Sequence, residues 1–115
     1  MFEYNITVLR VVDGDTVDAL VDLGFSTHRK IRIRLYGINA PESRTRDLEE
    51  KKLGLAAKER LKQLVEENEE IVLKSHGVGK YGRCLGEIFI KGNDLSLNKQ
   101  LINEGHGVEY YGGKR

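Results

Sequence analysis

Side chains able to do chemistry cluster in three short segments of the chain. Asp13-Gly14-Asp15-Thr16 sets two carboxylates around a glycine, a composition that can aim oxygen ligands at a hard cation such as calcium. Asp-Gly between two β-prone runs is equally an ordinary hairpin signal. Further on, Arg34 is followed by Asn39-Ala40-Pro41-Glu42. That loop leaves a cationic strand and presents an amide oxygen and a carboxylate, with Pro41 restricting its backbone; read singly, Arg34 and Glu42 are also what a solvated surface would show. Gly77-Val78-Gly79-Lys80-Tyr81-Gly82-Arg83 joins two cations and an aromatic ring in a glycine-rich stretch, suited to holding phosphate and stacking a base. It does not match a P-loop, and a plain connection between strands has the same composition. Tyr110 and Tyr111 are placed either to stack on a base or to finish a core.

The other reactive types show less pattern. His28, His76 and His106 have no ligand or triad spacing, which assigns them to the surface. Cys84 has no partner for an intramolecular disulfide and reads as a small buried strand residue.

The elements that position these residues follow from hydrophobic period. Tyr4 to Val12 and Thr16 to Leu23 are β-prone, with Val17, Ala19, Val21 and Leu23 on one face. After Gly24, Ile31, Ile33 and Leu35 alternate with Lys30, Arg32, Arg34 and Tyr36, so one face is core and the other cationic. From Glu49 to Asn68 the period becomes helical, the stripe being Leu53, Ala56, Ala57, Leu61, Leu64 and Val65. A short strand over Ile71 to Lys74, a strand from Arg83 to Lys91 carrying Cys84, Ile88 and Ile90 on one face, and a helix from Leu95 to Glu104 complete the order βββ-α-β-β-α. Gly105 suits the left-handed stop of that last helix. Five strands with a helix after the third are consistent with a mainly β, α+β fold built on a small Greek-key barrel, whose closure removes sheet edges.

Length and composition fit one domain over residues 1–115: 39% of residues are hydrophobic and 32% charged, with a single proline and no low-complexity tract. The net charge of +1 decides nothing by itself, but its distribution is uneven. Cations gather at Arg29, Lys30, Arg32 and Arg34, at Arg44 and Arg46, and at Lys80 and Arg83, whereas acids concentrate between Asp47 and Glu70, predicting a polarised surface. No apolar stretch is long enough to span a bilayer, so no membrane partner is expected. The start, Met-Phe-Glu-Tyr-Asn, lacks the basic and apolar regions of a secretory leader; as it stands it points to a cytoplasmic protein, or to a mature form already trimmed.

Taken together, the Asp-Gly-Asp-Thr turn, the strand ending in Arg34, the Pro41-Glu42 loop, the Lys80-Tyr81-Gly82-Arg83 loop and the Leu97-Asn98 helix ending at Gly105 resemble the staphylococcal nuclease, or thermonuclease-like, family. The resemblance runs from about Tyr4 to Tyr111. It implies a five-stranded Greek-key OB-fold barrel with two helices, carrying a calcium-dependent endonuclease that cleaves DNA and RNA, single-stranded or unwound, and leaves 3′-phosphate ends. It makes Asp15 a calcium ligand, Arg34 and Arg83 the catalytic arginines and Glu42 the general base. Ala40 matches a position that ligates through its backbone carbonyl, Lys80 and Tyr81 lie at positions beside the bound nucleotide phosphate, and Tyr111 matches a tyrosine that packs on the base.

Two departures stand out. Asn39 occupies a position where the family usually supplies a second calcium-binding aspartate. An amide oxygen coordinates without charge, so calcium is expected to bind weakly, with a Kd on the order of 10⁻⁴ to 10⁻³ M. Family members commonly continue into another helix where this sequence stops at Arg115, from which reduced stability or self-association is expected. Two other classes remain to be separated from the enzyme: a catalytically weak or silent nucleic-acid-binding barrel, and a protein-interaction barrel whose cationic strand is merely solvated. Turnover in calcium separates the first, and salt-dependent binding to single-stranded DNA separates the second.

Overall fold

The computed structural model describes residues 3–68, 70–78 and 83–111. Its strands are β1 (Glu3–Asp13), β2 (Thr16–Asp22), β3 (His28–Leu35), β4 (Gly37–Asn39), β5 (Ile71–Val78), β6 (Cys84–Ile90) and β7 (Val108–Tyr110); its helices are α1 (Leu48–Glu66) and α2 (Leu97–Asn103). Strands β1, β2, β3, β6 and β5 close a barrel in that order, with β5 returning to β1. All pairings are antiparallel except that of β3 with β6. This is the OB-like Greek-key arrangement expected from the order of elements, with two helices packed on it.

The barrel interior holds Val17, Ala19 and Val21 of β2, Ile33 and Leu35 of β3, Leu73 of β5 and Ile88 of β6, as the period-2 patterns demand. Leu23 lies past the end of β2 and is 46% exposed, so it does not share the core face expected of it. Helix α1 closes one side of the core with Gly54, Ala57, Leu61 and Leu64, whereas Leu53 and Ala56, expected on that stripe, face solvent with Leu48 and Leu55. The stripe begins at a glycine because the helix passes against the Glu42–Ser43 backbone: a Cβ on Gly54 would sit 2.2 Å from the Glu42 carbonyl oxygen. Hydrophobic count alone points to leucine there, and the helix rotates accordingly.

Helix ends obey local chemistry. Asp47 caps α1 by accepting from the backbone N–H groups of Glu49 (3.0 Å) and Glu50 (3.2 Å). Ser96 caps α2 through Lys99 N–H, and Gly105 ends it with a left-handed φ of 83°, as expected. Strand β5 runs to Val78 rather than stopping at Lys74, because a bulge between Ser75 and Gly77 lets pairing with β6 continue. The small sheet of β4 with β7 has no sequence signature, being three residues on each side.

Candidate active site

The Asp13–Thr16 segment is a hairpin turn, with Asp13 and Thr16 paired across it. It also places a carboxylate in a cleft, so the two readings of that motif coexist. Asp15 is 8% exposed; its Oδ2 accepts from Ala40 N–H at 2.9 Å and lies 3.4 Å from Arg34 Nη2, while Oδ1 accepts from the Thr16 hydroxyl. Gly14 makes the turn fit beneath α1, because a Cβ there would meet the Ala57 Cβ at 2.7 Å and the Ala40 Cβ at 3.1 Å. Asp13 turns elsewhere and accepts from the Ser43 hydroxyl and backbone N–H, tying the β1–β2 turn to the loop that carries Glu42.

Arg34 projects from the end of β3 and is fixed by backbone. Its Nη1 donates to the carbonyls of Ile38 (2.9 Å) and Leu35 (3.0 Å), and its Nη2 reaches Asn39 Oδ1 at 3.4 Å. The side chain is 16% exposed. This anchoring removes rotamer freedom from a long cation. Arg83 enters from the chain just before β6, which runs parallel to β3 with Ile33 opposite Cys84 and Arg34 opposite Leu85. The parallel junction therefore brings two arginines about fifty residues apart to one end of the barrel.

Asp15, Arg34, Asn39, Ala40, Glu42, Arg83 and Tyr111 all line a single open cleft of about 630 Å³. Glu42 stands exposed on its rim, its backbone held by the buried Ser43 and by the close approach of Gly54. Lys80 and Tyr81, expected beside a bound phosphate, lie outside the described residues. Tyr111 is 64% exposed, so it does not finish the core. Its ring meets Tyr36 edge-on at 5.4 Å, over Gly37, whose φ of 79° and whose 3.0 Å approach to the Tyr111 ring exclude a side chain.

The structure gives His76, Asn98 and Cys84 surroundings that spacing did not indicate. His76, assigned to the surface by its lack of pattern, is half-buried in the cleft wall: Nε2 is 2.8 Å from Glu87 Oε1, and the ring packs 4.1 Å from that of Tyr36. Asn98, buried in α2, accepts from Ile88 N–H and donates to the carbonyls of Tyr36 (2.8 Å) and Gly86 (3.1 Å), locking the end of β3 to β6. Cys84 is half-buried rather than buried; burial nonetheless pushes its thiol up, opposed by its hydrogen bond with the Ser75 hydroxyl.

The oxygen donors at the turn suit a hard cation but are few. Asp15 supplies one carboxylate, Asn39 an amide oxygen and Ala40 a carbonyl; among the described residues no three His, Cys, Asp or Glu side chains converge as a metal cluster. What such a cleft resembles is settled by comparison. Residues 32–114 match the family described as staphylococcal nuclease homologue.

The chain belongs to the staphylococcal nuclease family. Within it, the chain is 37% identical to a protein of Shigella flexneri named micrococcal nuclease, across 96% of this chain and 62% of that protein. It is 36% identical to Protein ParB of Escherichia coli, across 90% of this chain and 55% of that protein. The chain thus spans about three-fifths of the length of these two relatives. Among the described residues no helix is long and apolar enough to cross a membrane.

Proposed function

We propose that the chain is a phosphodiesterase that hydrolyses DNA and RNA in a calcium-dependent reaction, with Glu42 as general base and Arg34 and Arg83 meeting the charge that develops on the phosphoryl oxygens. The observation that carries this reading is the gathering of Asp15, Arg34, Glu42 and Arg83 into one cleft from four separate parts of the chain. The name of the Shigella relative, micrococcal nuclease, points the same way.

Water attacks phosphorus and its proton passes to the Glu42 carboxylate; the P–O5′ bond breaks and the departing O5′ takes a proton from solvent, leaving a 3′-phosphate and a 5′-hydroxyl. General-base help of this kind is worth about 10²- to 10⁴-fold in rate. Arg34 is positioned before substrate arrives: Nη1 stays on the Ile38 and Leu35 carbonyls, while the longer 3.4 Å contacts of Nη2 can give way to a phosphate oxygen. A cation held in place this way stabilises the transition state without reorganisation. The wall of Tyr36 and Tyr111 offers ring faces and edges to a base. Asp15, the Asn39 amide oxygen and the Ala40 carbonyl would hold calcium, which when bound would supply Lewis-acid stabilisation of negative charge on the phosphoryl oxygens. With one carboxylate in the set, the expected Kd is on the order of 10⁻⁴ to 10⁻³ M.

The thin donor set also favours a second reading, a nucleic-acid-binding barrel with little or no turnover. Hydrolysis of a fluorescent single-stranded DNA at alkaline pH, with millimolar calcium or with EGTA, separates them. The expected result is calcium-dependent cleavage that falls at least about a hundredfold in Glu42→Gln. Salt-sensitive binding without cleavage by the wild type, with cleavage appearing in Asn39→Asp, would instead establish the binding barrel.

A further inference from the structure

We infer that the outer wall of β1, β2 and β3 is a track for single-stranded nucleic acid, on which Arg32 and Lys30 bind successive phosphates of a strand leaving the cleft, Arg10 adds a phosphate contact from across β2, and Phe25 stacks on a base at the far end. The inference rests on the proposed function, since the strand is taken to enter the cleft at Arg34.

Register places these side chains. Lys30, Arg32 and Arg34 alternate along one face of β3, which points away from the core. Cross-strand pairing sets Asp18 of β2 opposite Arg32 and Arg10 of β1 opposite Asp18. Residues two apart on a strand are about 6.6 Å apart, a spacing of the same order as successive phosphates of an extended strand. From Arg34 to Lys30 the track is about 13 Å long. It needs no bend, because it continues the strand that carries Arg34.

Asp18 lies within this patch yet does not cancel it. It is 8% exposed, and Arg32 covers it with a bidentate pair, Nε to Oδ1 at 2.8 Å and Nη2 to Oδ2 at 3.2 Å. Arg32 remains 46% exposed, and Lys30 and Arg10 are exposed as well. With Asp22 on the same face of β2 opposite His28, two carboxylates lie among three cations, which still leaves the surface net positive, and the Asp18 pair fixes the Arg32 guanidinium in place.

The end of the track is the β2–β3 turn. Gly24, Phe25 and Ser26 have φ of 83°, 53° and 61°, so a bulky residue stands in the left-handed region, where it is strained. Phe25 is fully exposed, so no packing offsets that strain. An aromatic ring presented to solvent at the end of a cationic strand is the combination that single-strand binders use.

The test is fluorescence anisotropy of labelled oligo-dT in EGTA, which needs no cleavage and so is decided separately from the nuclease reading. For the wild type, affinity should rise between dinucleotide and about five nucleotides, then level off. In Arg10→Gln/Lys30→Gln that rise should disappear, and the slope of log K against log salt should fall by about 1.4, two phosphate contacts being lost. Dinucleotide binding should not change. Phe25→Gly relieves the strained turn, so its melting temperature should hold or rise while affinity for the longer strand drops roughly fivefold or more. An unchanged length dependence and salt slope in the double variant would overturn the track. So would inorganic polyphosphate competing as well as oligo-dT of equal charge, because such a patch would not be reading nucleic acid.

Discussion

Asn39 is where a single side chain weighs most on the chemistry proposed for this cleft. Its amide oxygen already takes part in holding Arg34, at 3.4 Å from Nη2, and beside it Asp15 is the one carboxylate of the candidate cation site. Calcium affinity in oxygen sites follows the number of charged ligands. Asn39→Asp is therefore expected to tighten calcium binding roughly tenfold, read by isothermal titration without nucleotide; an unchanged Kd would mean that residue 39 does not contribute to a cation site. Asp15, Arg34, Asn39, Glu42 and Arg83 stood out in the sequence only in combination, through the family resemblance, since each read singly also fits a turn or a solvated surface; the structure adds that all five line one cleft. His76 and Tyr36 did not stand out. Their significance arises only when barrel closure sets β5 beside β6 and packs the two rings 4.1 Å apart, and no local spacing encodes that pairing.

Helix α1 acts on the site without contributing a side chain to the cleft. Gly54 lets it come down onto the Glu42–Ser43 backbone, and that contact, together with the Asp13–Ser43 hydrogen bonds, determines where the Glu42 loop sits. Gly54→Ala puts a Cβ 2.2 Å from a backbone oxygen, an atom that cannot rotate away. The expected cost is about 1–3 kcal/mol in urea unfolding, the usual range for overpacking, with a fall in kcat that exceeds any change in KM because Glu42 is displaced. A variant of full stability and activity would show that the helix is free to slide. The helical period of this segment was legible in sequence but its rotation was not wholly so: Leu53 and Ala56 extended the stripe toward a face that the structure leaves in solvent. Close approach of two backbones, signalled only by a glycine, outweighed hydrophobic count. Strands were more readable: alternation in β3 reports burial directly, and in β2 the apolar face is core although Thr16 and Asp18 on the opposite face are buried too, whereas β4 and β7 are held by tertiary pairing alone.

At the scale of the molecule, cations of β1 and β3 flank β2 on the barrel wall, whereas α1 mixes four glutamates with five lysines and arginines and so carries no acidic excess of its own. Two ion pairs bind elements across these surfaces: Arg32–Asp18 joins β3 to β2, and Arg60–Glu104 joins α1 to the end of α2. The Arg32 guanidinium, hydrogen-bonded to Asp18, holds that carboxyl below the usual carboxylate range, with Lys30 and Arg10 adding to the effect against the opposing cost of burial. Arg60 and Gln100 do the same for Glu104. A carboxyl depressed in the folded state stabilises the protein at pH above its unfolded value and loses that contribution as pH falls through the folded value. Asp18→Asn mimics the protonated side chain, so the stability gap between wild type and variant should be largest at neutral pH and close as pH drops below the ordinary carboxylate range. Its size at neutrality should be no more than about 1 kcal/mol, because Arg32 is half exposed and water screens the pair. Urea unfolding followed by circular dichroism across the acid range measures this directly. A gap constant with pH would assign the effect of the substitution to packing, and would remove Asp18 as the group that holds three cations of the barrel wall together.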